Sequence, residues 1–326
     1  MNKRILFFLL GAALWSCEKN SNSPVSGDID FRQEMRQLVQ SVSAYGRFLD
    51  PDFIIIPQNG EDIITVDGAP EGPLATGYLN AIDGVGREEL FYGYNNRDNE
   101  ATPYAETSFM LPFLNLLQQN GKAIMVTDYT NDPGQQLEAS TQCQNRGFVP
   151  FIAADRELSL LPDTSLQPAL SGKDIIRLDQ VESFLFLINP QKFNDRANYI
   201  ASLATSNYDL LLIDLFFDDQ QDPLTIEEIL QLRFKPDGTQ RLLIAYLSIG
   251  EAESYRYYWQ SDWDTNKPYW MESKNSQWAG NYKVRYWEQD WKNLLIGNKN
   301  SYLKKIVDAG FDGVYLDVVD AYEFFE

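Results

Sequence analysis

The chain contains no histidine. That removes the side chain most often used as general base, as activator of a nucleophile and as zinc ligand. Hydrolytic chemistry must then rest mainly on carboxylates, with Tyr or Lys in support. Positive charge is also scarce: 27 Lys and Arg face 47 Asp and Glu, a net charge of −20. So acidic a surface is well solvated and a poor partner for nucleic acid, whose phosphates are gripped by Lys and Arg. It is compatible with a cationic substrate. Neither a GxGxxG nor a Walker pattern is present, and no Cys/His/Asp spacing suggests a metal, so no cofactor is implied. Cysteine occurs twice, at 17 and 143.

What is present begins with a leader. Lys3 and Arg4 precede an apolar run, Ile5 to Trp15, too short to span a membrane comfortably and built like a signal peptide. Leu14-Trp15-Ser16-Cys17 resembles a bacterial lipobox, which implies a signal peptide over 1–16 and a lipid on Cys17. An ordinary signal peptide and an uncleaved anchor are the alternatives. Residues 17–30 are polar and rich in Ser and Asn, as a flexible tether should be. The expected location is extracytoplasmic, lipid-anchored at the bacterial outer membrane or cell surface. With Cys17 modified, Cys143 has no intramolecular partner, and stability must come from the core.

From residue 31 onward, eight short apolar runs recur: 53–59, 81–93, 122–129, 147–153, 184–189, 208–215, 241–250 and 312–317. Several are continuous in Ile, Leu, Val and Phe rather than alternating, the mark of parallel strands buried on both faces. Helical stretches separate them at 107–120, 134–145, 193–204, 225–233 and 291–309, and one precedes them. In that first stretch Phe31, Met35, Leu38, Val39 and Val42 fall on one helical face. Gly121, Gly147 and Gly310 stand where helices should stop. Eight such units predict a (β/α)8 TIM barrel over 31–326, larger than the ~250 residues typical of the fold by an aromatic-rich insertion at 251–290. An open doubly wound sheet is the alternative. The chain opens with a helix that follows no strand and closes on a strand that no helix follows. A helix over 31–45 is therefore predicted to cover strand 312–317, closing the ring without a covalent link.

Three stretches carry a resemblance: "AYLSIGEAESYRYYW" (245–259), "NYKVRYWEQDW" (281–291) and "GFDGVYLDVVDAYE" (310–323). They resemble the endo-α-1,4-polygalactosaminidase-like family, glycoside hydrolase family 114, with bacterial and archaeal relatives of which some are labelled cysteinyl-tRNA-synthetase-related. Segments that come late in that family look like "FIIIPQNGEDI", "IDGVGREELFY" and "GFVPFIAADREL", which here come early, at 53–63, 82–92 and 147–158. The resemblance thus implies a circular permutant.

Glycoside hydrolysis needs two carboxyls flanking one bond. The resemblance points to Asp317 and to Glu88, chosen over Glu89; a structural Asp and a surface Glu are the bland alternatives. Glu88 is expected as general acid, in the drier site, and Asp317 as nucleophile or base. Some relatives carry Glu-Pro before that Asp where this chain has Tyr315-Leu316. Asp214, Glu251, Gln58, Asn59, Asp128, Asp320 and Tyr322, all at or just past strand ends, are candidates for holding sugar hydroxyls or an amino group. Trp270 and Trp287 of the insertion are candidates for stacking on sugar rings. The expected function is hydrolysis of an α-linked, galactosamine-type polysaccharide. The alternative is a surface lipoprotein that binds carbohydrate without turnover. A synthetase-like activity is disfavoured by export, acidity and the missing histidines.

Overall fold

Each strand forms where the apolar runs predicted one, and the polar residue that ends a run turns into a common opening. In the computed structural model, which describes residues 29–217 and 222–326, the body from Phe31 to Glu326 is one unit. Its elements are α1 (Phe31–Leu49), β1 (Ile54–Pro57), α2 (Thr76–Ala81), β2 (Gly84–Glu88), α3 (Tyr104–Gln119), β3 (Ala123–Tyr129), α4 (Pro133–Gln144), β4 (Val149–Ala153) and β5 (Phe184–Leu187). There follow α5 (Arg196–Ala204), β6 (Leu210–Ile213), α6 (Ile226–Leu232), β7 (Leu242–Ser248), β8 (Glu251–Glu253), β9 (Met271–Lys274), β10 (Asn281–Val284), α7 (Gln289–Leu295), α8 (Tyr302–Ala309) and β11 (Gly313–Asp317). The leader 1–16, Cys17 and most of the expected tether lie outside the described residues. No helix among the described residues is long and apolar enough to cross a membrane.

The long strands pair in parallel. One sheet runs β1-β11-β7-β6-β5 and another β2-β3-β4. A parallel bridge between Gln58 and Gly86 joins the ends of β1 and β2, and Phe151 of β4 stacks against Phe184 of β5 at 5.6 Å. The architecture is therefore mixed α/β with parallel sheets, consistent with a (β/α)8 glycosidase fold. Burial explains the composition: every residue of β5, β6 and β7 is buried, as strands covered on both faces must be.

The chain ends meet. β11, last in the sequence, pairs with β1, the first long strand, from Ile54↔Gly313 to Pro57↔Leu316. Helix α1 packs on β1 and between α2 and α8, burying Met35, Leu38, Val39 and Val42 completely. Its cover is thus centred on β1 rather than on β11, as predicted, because a helix packs over the strand it leads into. At the join Phe31 stacks on Phe325 at 5.4 Å and on Trp287 at 5.1 Å. Arg32 donates to Glu326 at 2.8 Å and also to Asp62.

One local expectation needs correction, and two features were not anticipated. The helix predicted over 291–309 is two, α7 and α8, parted at Gly297, whose φ of +87° is left-handed. No α-helix lies between β4 and β5; residues 154–183 form irregular chain with two short 3-10 turns. The insertion is not merely aromatic packing: it carries an antiparallel ribbon ordered β8-β10-β9.

Candidate active site

Parallel strands point their carboxyl ends the same way, so the residues that end them converge. Here they surround a cleft of about 850 Å³. Of the residues expected at a site, Asp317, Glu88, Gln58, Asn59, Asp214, Glu251 and Asp320 all line it.

Glu88 ends β2, and Asp317 ends β11 on the far side of β1. Each is clasped at both oxygens. Glu88 accepts from the Tyr129 hydroxyl at one oxygen and from the Gln58 amide at the other. Asp317 accepts from the Tyr246 hydroxyl and, at 2.8 Å, from the Val318 backbone N–H. Burial pushes Glu88 up to about 7, against the pull of Tyr129. Burial, then the Glu88 charge, pushes Asp317 up to about 8. Both carboxyls therefore exchange protons near neutrality, where an acid–base pair is useful. Both carboxyls are partly buried to a similar degree, and the Glu88 charge adds to the burial that raises Asp317. Glu89 also reaches the cleft, but Arg156 pairs with it at 2.6 Å. Its φ of +57° breaks the strand alternation directly after Glu88.

Other members hold the walls. Asp214 forms a fork with Arg256 at 2.9 and 2.7 Å, and Arg256 also grips Glu253 at 2.6 Å, all three buried. Glu251 accepts from Asn275 at 2.9 Å and Asn281 at 3.1 Å, fastening the ribbon over the cleft's edge. Asn59 accepts from the Glu88 N–H at 3.1 Å. Asp320 is partly buried near Arg87 without a salt bridge to it; desolvation raises its pKa. Two buried polar atoms in the lining have no protein partner, Gln58 Oε1 and Arg87 Nε. An acceptor and a donor left open in this way suit a hydroxylated ligand. Among the described residues, no group of three Cys, Asp or Glu is arranged to hold a metal ion.

Residues 190–325 match the model of glycoside-hydrolase family GH114. The stretch includes Asp317, Asp320, Asp214 and Glu251, while Glu88, Gln58 and Asn59 lie outside it. An uncharacterized protein of Methanocaldococcus jannaschii is 42% identical over 125 residues, 38% of this chain and 34% of its own. One of Deinococcus radiodurans is 40% identical over 122 residues, 37% of this chain and 36% of its own. One of Thermotoga maritima is 44% identical over 81 residues, 25% of this chain and 24% of its own. The chain spans about a third or less of the length of these curated relatives.

Four expected binding residues stand away from the cleft. Asp128 is buried and accepts from the N–H groups of Phe91 and Tyr92 at 2.8 and 3.0 Å, bracing the turn after β2. Tyr322 is buried and donates to Asp62 at the chain join. Trp270 is buried between Trp263 and Trp291, at 5.2 and 5.1 Å. Trp287 stacks on Phe31 and Phe325. In each case an apolar body or an unpaired backbone group had a nearer claim than a ligand. The aromatics that do line the cleft include Trp278, Tyr255, Tyr129 and Tyr246. Strand parity could have found the last two. Tyr129 closes the strand beside Glu88, and Tyr246 lies two positions before Ser248, which is opposite Asp317.

Proposed function

We propose that residues 31–326 form a closed, circularly permuted (β/α)8 barrel that hydrolyses glycosidic bonds with Glu88 and Asp317. The observation that carries the reading is the meeting of these two carboxyls, 229 positions apart in sequence, in one cleft with proton affinities near neutral. One carboxyl protonates the glycosidic oxygen as its bond to the anomeric carbon breaks. The other attacks that carbon or takes a proton from the attacking water. The Glu88 charge acts on Asp317, so the titration belongs to the pair. The match of a family model to the second half of the chain, together with the β1–β11 pairing, supports permutation.

Finer features follow the same reading. The substrate is an α-linked amino-sugar polymer of galactosamine type, cut internally; Asp320 and the acidic cleft favour its ammonium groups. Gln58, Asn59, Asp214 and Glu251 bind or brace it. The chain is held by a lipid on Cys17, outside the cytoplasm at the outer membrane or cell surface. A protein that only bound glycan would have no use for two buried carboxyls whose ionisation costs stability, which disfavours the non-catalytic alternative.

The test is incubation with partially deacetylated galactosamine polymer, following new reducing ends. Asp317→Asn and Glu88→Gln should each lower kcat by roughly 10²–10⁴-fold, the range for loss of acid–base catalysis. Equal product from wild type and Asp317→Asn would remove Asp317 from the chemistry. Retention of polymer without any release by the wild type would leave only binding.

A further inference from the structure

We propose that Tyr129 and Tyr246 are paired positioning residues, each holding one of the two carboxyls by a hydroxyl hydrogen bond so that the carboxyls take opposite roles. The proposal rests on the reading of Glu88 and Asp317 as the reacting pair.

The arrangement is nearly symmetrical about β1. Tyr129 ends β3, next to the strand that carries Glu88, and its hydroxyl donates to one Glu88 oxygen. Tyr246 lies in β7, next to the strand that carries Asp317, and its hydroxyl donates to one Asp317 oxygen. Both rings are buried. A phenol has a single proton, and each of these is spent on a carboxyl. Burial and the adjacent acids push both phenols well above their ordinary range, so they remain donors at every pH the protein meets. A donor to a carboxyl favours its charged form, whereas burial favours the neutral one. Each tyrosine thus lowers the proton affinity of one acid without touching the other.

The remaining oxygens have unequal partners: the Gln58 side chain for Glu88, the rigid Val318 N–H for Asp317. Other charges face the same groups. Glu89, Arg156 and Arg87 act on Glu88. Glu88 and Asp320 act on Asp317. The Arg156 guanidinium lies over the Tyr129 ring at 4.1 Å, Tyr315 lies near Tyr129, and Glu253 and Tyr255 lie near Tyr246. All of these stay in place when one hydroxyl is removed, so Tyr129→Phe and Tyr246→Phe isolate the two hydrogen bonds.

The experiment is the pH profile of kcat for reducing-end release by wild type, Tyr129→Phe and Tyr246→Phe. Each variant should lose roughly tenfold in kcat with KM within about twofold, the pattern of a group acting through another. Because the two carboxyls are coupled, one limb should move upward more than the other in each variant, by about half a pH unit or more, and a different limb in each. With Glu88 as base, Tyr129→Phe moves the acidic limb and Tyr246→Phe the basic one; with Glu88 as acid, the limbs exchange. Site-specific 3-fluorotyrosine, which keeps the ring and strengthens the donor, should move the same limb downward. Limbs that stay put in both variants, or the same limb moving the more in both, overturn the proposal. If the wild type releases nothing, the hydrolase reading fails separately. Infrared titration of carboxyl bands in the ligand-free variants then decides: the Glu88 band, assigned with Glu88→Gln, must titrate higher in Tyr129→Phe than in Tyr246→Phe.

Discussion

Replacing Asp317 by Asn should stabilise the protein in alkali. The folded protein raises Asp317 from an ordinary 3.8 to about 8, so folding is coupled to proton uptake there. A group with a raised folded value contributes its full stability below the unfolded value. It loses that contribution as pH climbs to the folded value. Asparagine keeps the shape and one acceptor, for Tyr246, loses the one that meets the Val318 N–H at a cost independent of pH, and never ionises. Between pH 5 and pH 9 the wild type crosses about three pH units of this window, at about 1.36 kcal/mol each. The variant should therefore gain roughly 4 kcal/mol on the wild type over that interval. Urea midpoints at pH 5 and pH 9, read by tryptophan fluorescence, measure it. A gap between the two proteins that is the same at both pH values, within about 1 kcal/mol, would refute the picture of a buried, proton-retaining acid.

Three other changes follow from the same geometry. A Cβ on Gly86 would stand 1.8 Å from the Tyr315 hydroxyl, so Gly86→Ala should cost about 1–3 kcal/mol by overpacking, visible as a lower Tm. Arg256→Met leaves Asp214 and Glu253 buried without their cation and should cost about 3–5 kcal/mol near neutral pH; both carboxyls would then keep protons longer in the fold, so the deficit in a urea titration should shrink toward pH 4. Trp278→Ala removes an exposed aromatic from the cleft lining and should raise KM for a glycan about 2- to 10-fold, equivalent to roughly 0.5–1.5 kcal/mol, with kcat little changed.

The strands were legible because burial on both faces leaves a strong one-dimensional trace: "LLLI" and "LLIAYLS" can hardly be anything exposed. The helix stops at Gly121, Gly147 and Gly310 were legible for a stereochemical reason, and all three have positive φ. The irregular chain at 154–183 was not, because polar stretches of that length do not say whether they will coil. At the site, polar residues ending apolar runs gave most of the lining. They could not separate Asp128, whose Oδ1 holds two backbone N–H groups away from the cleft, from Gln58, which lines it. The choice depends on what the neighbouring backbone lacks, and that is a three-dimensional fact. Trp270 and Trp278 differ in the same way. Eight residues apart on one ribbon, one fills a crevice between two indoles and the other faces the cleft.

The side-chain clasp between Phe31, Arg32, Phe325 and Glu326 has an engineering consequence. Phe31 and Glu326 lie at one spot, so a polypeptide joined at Glu326 would start beside this clasp and compete with Arg32 for the glutamate. An affinity handle inserted instead into the exposed turn at Asp237–Gly238 would leave the join intact.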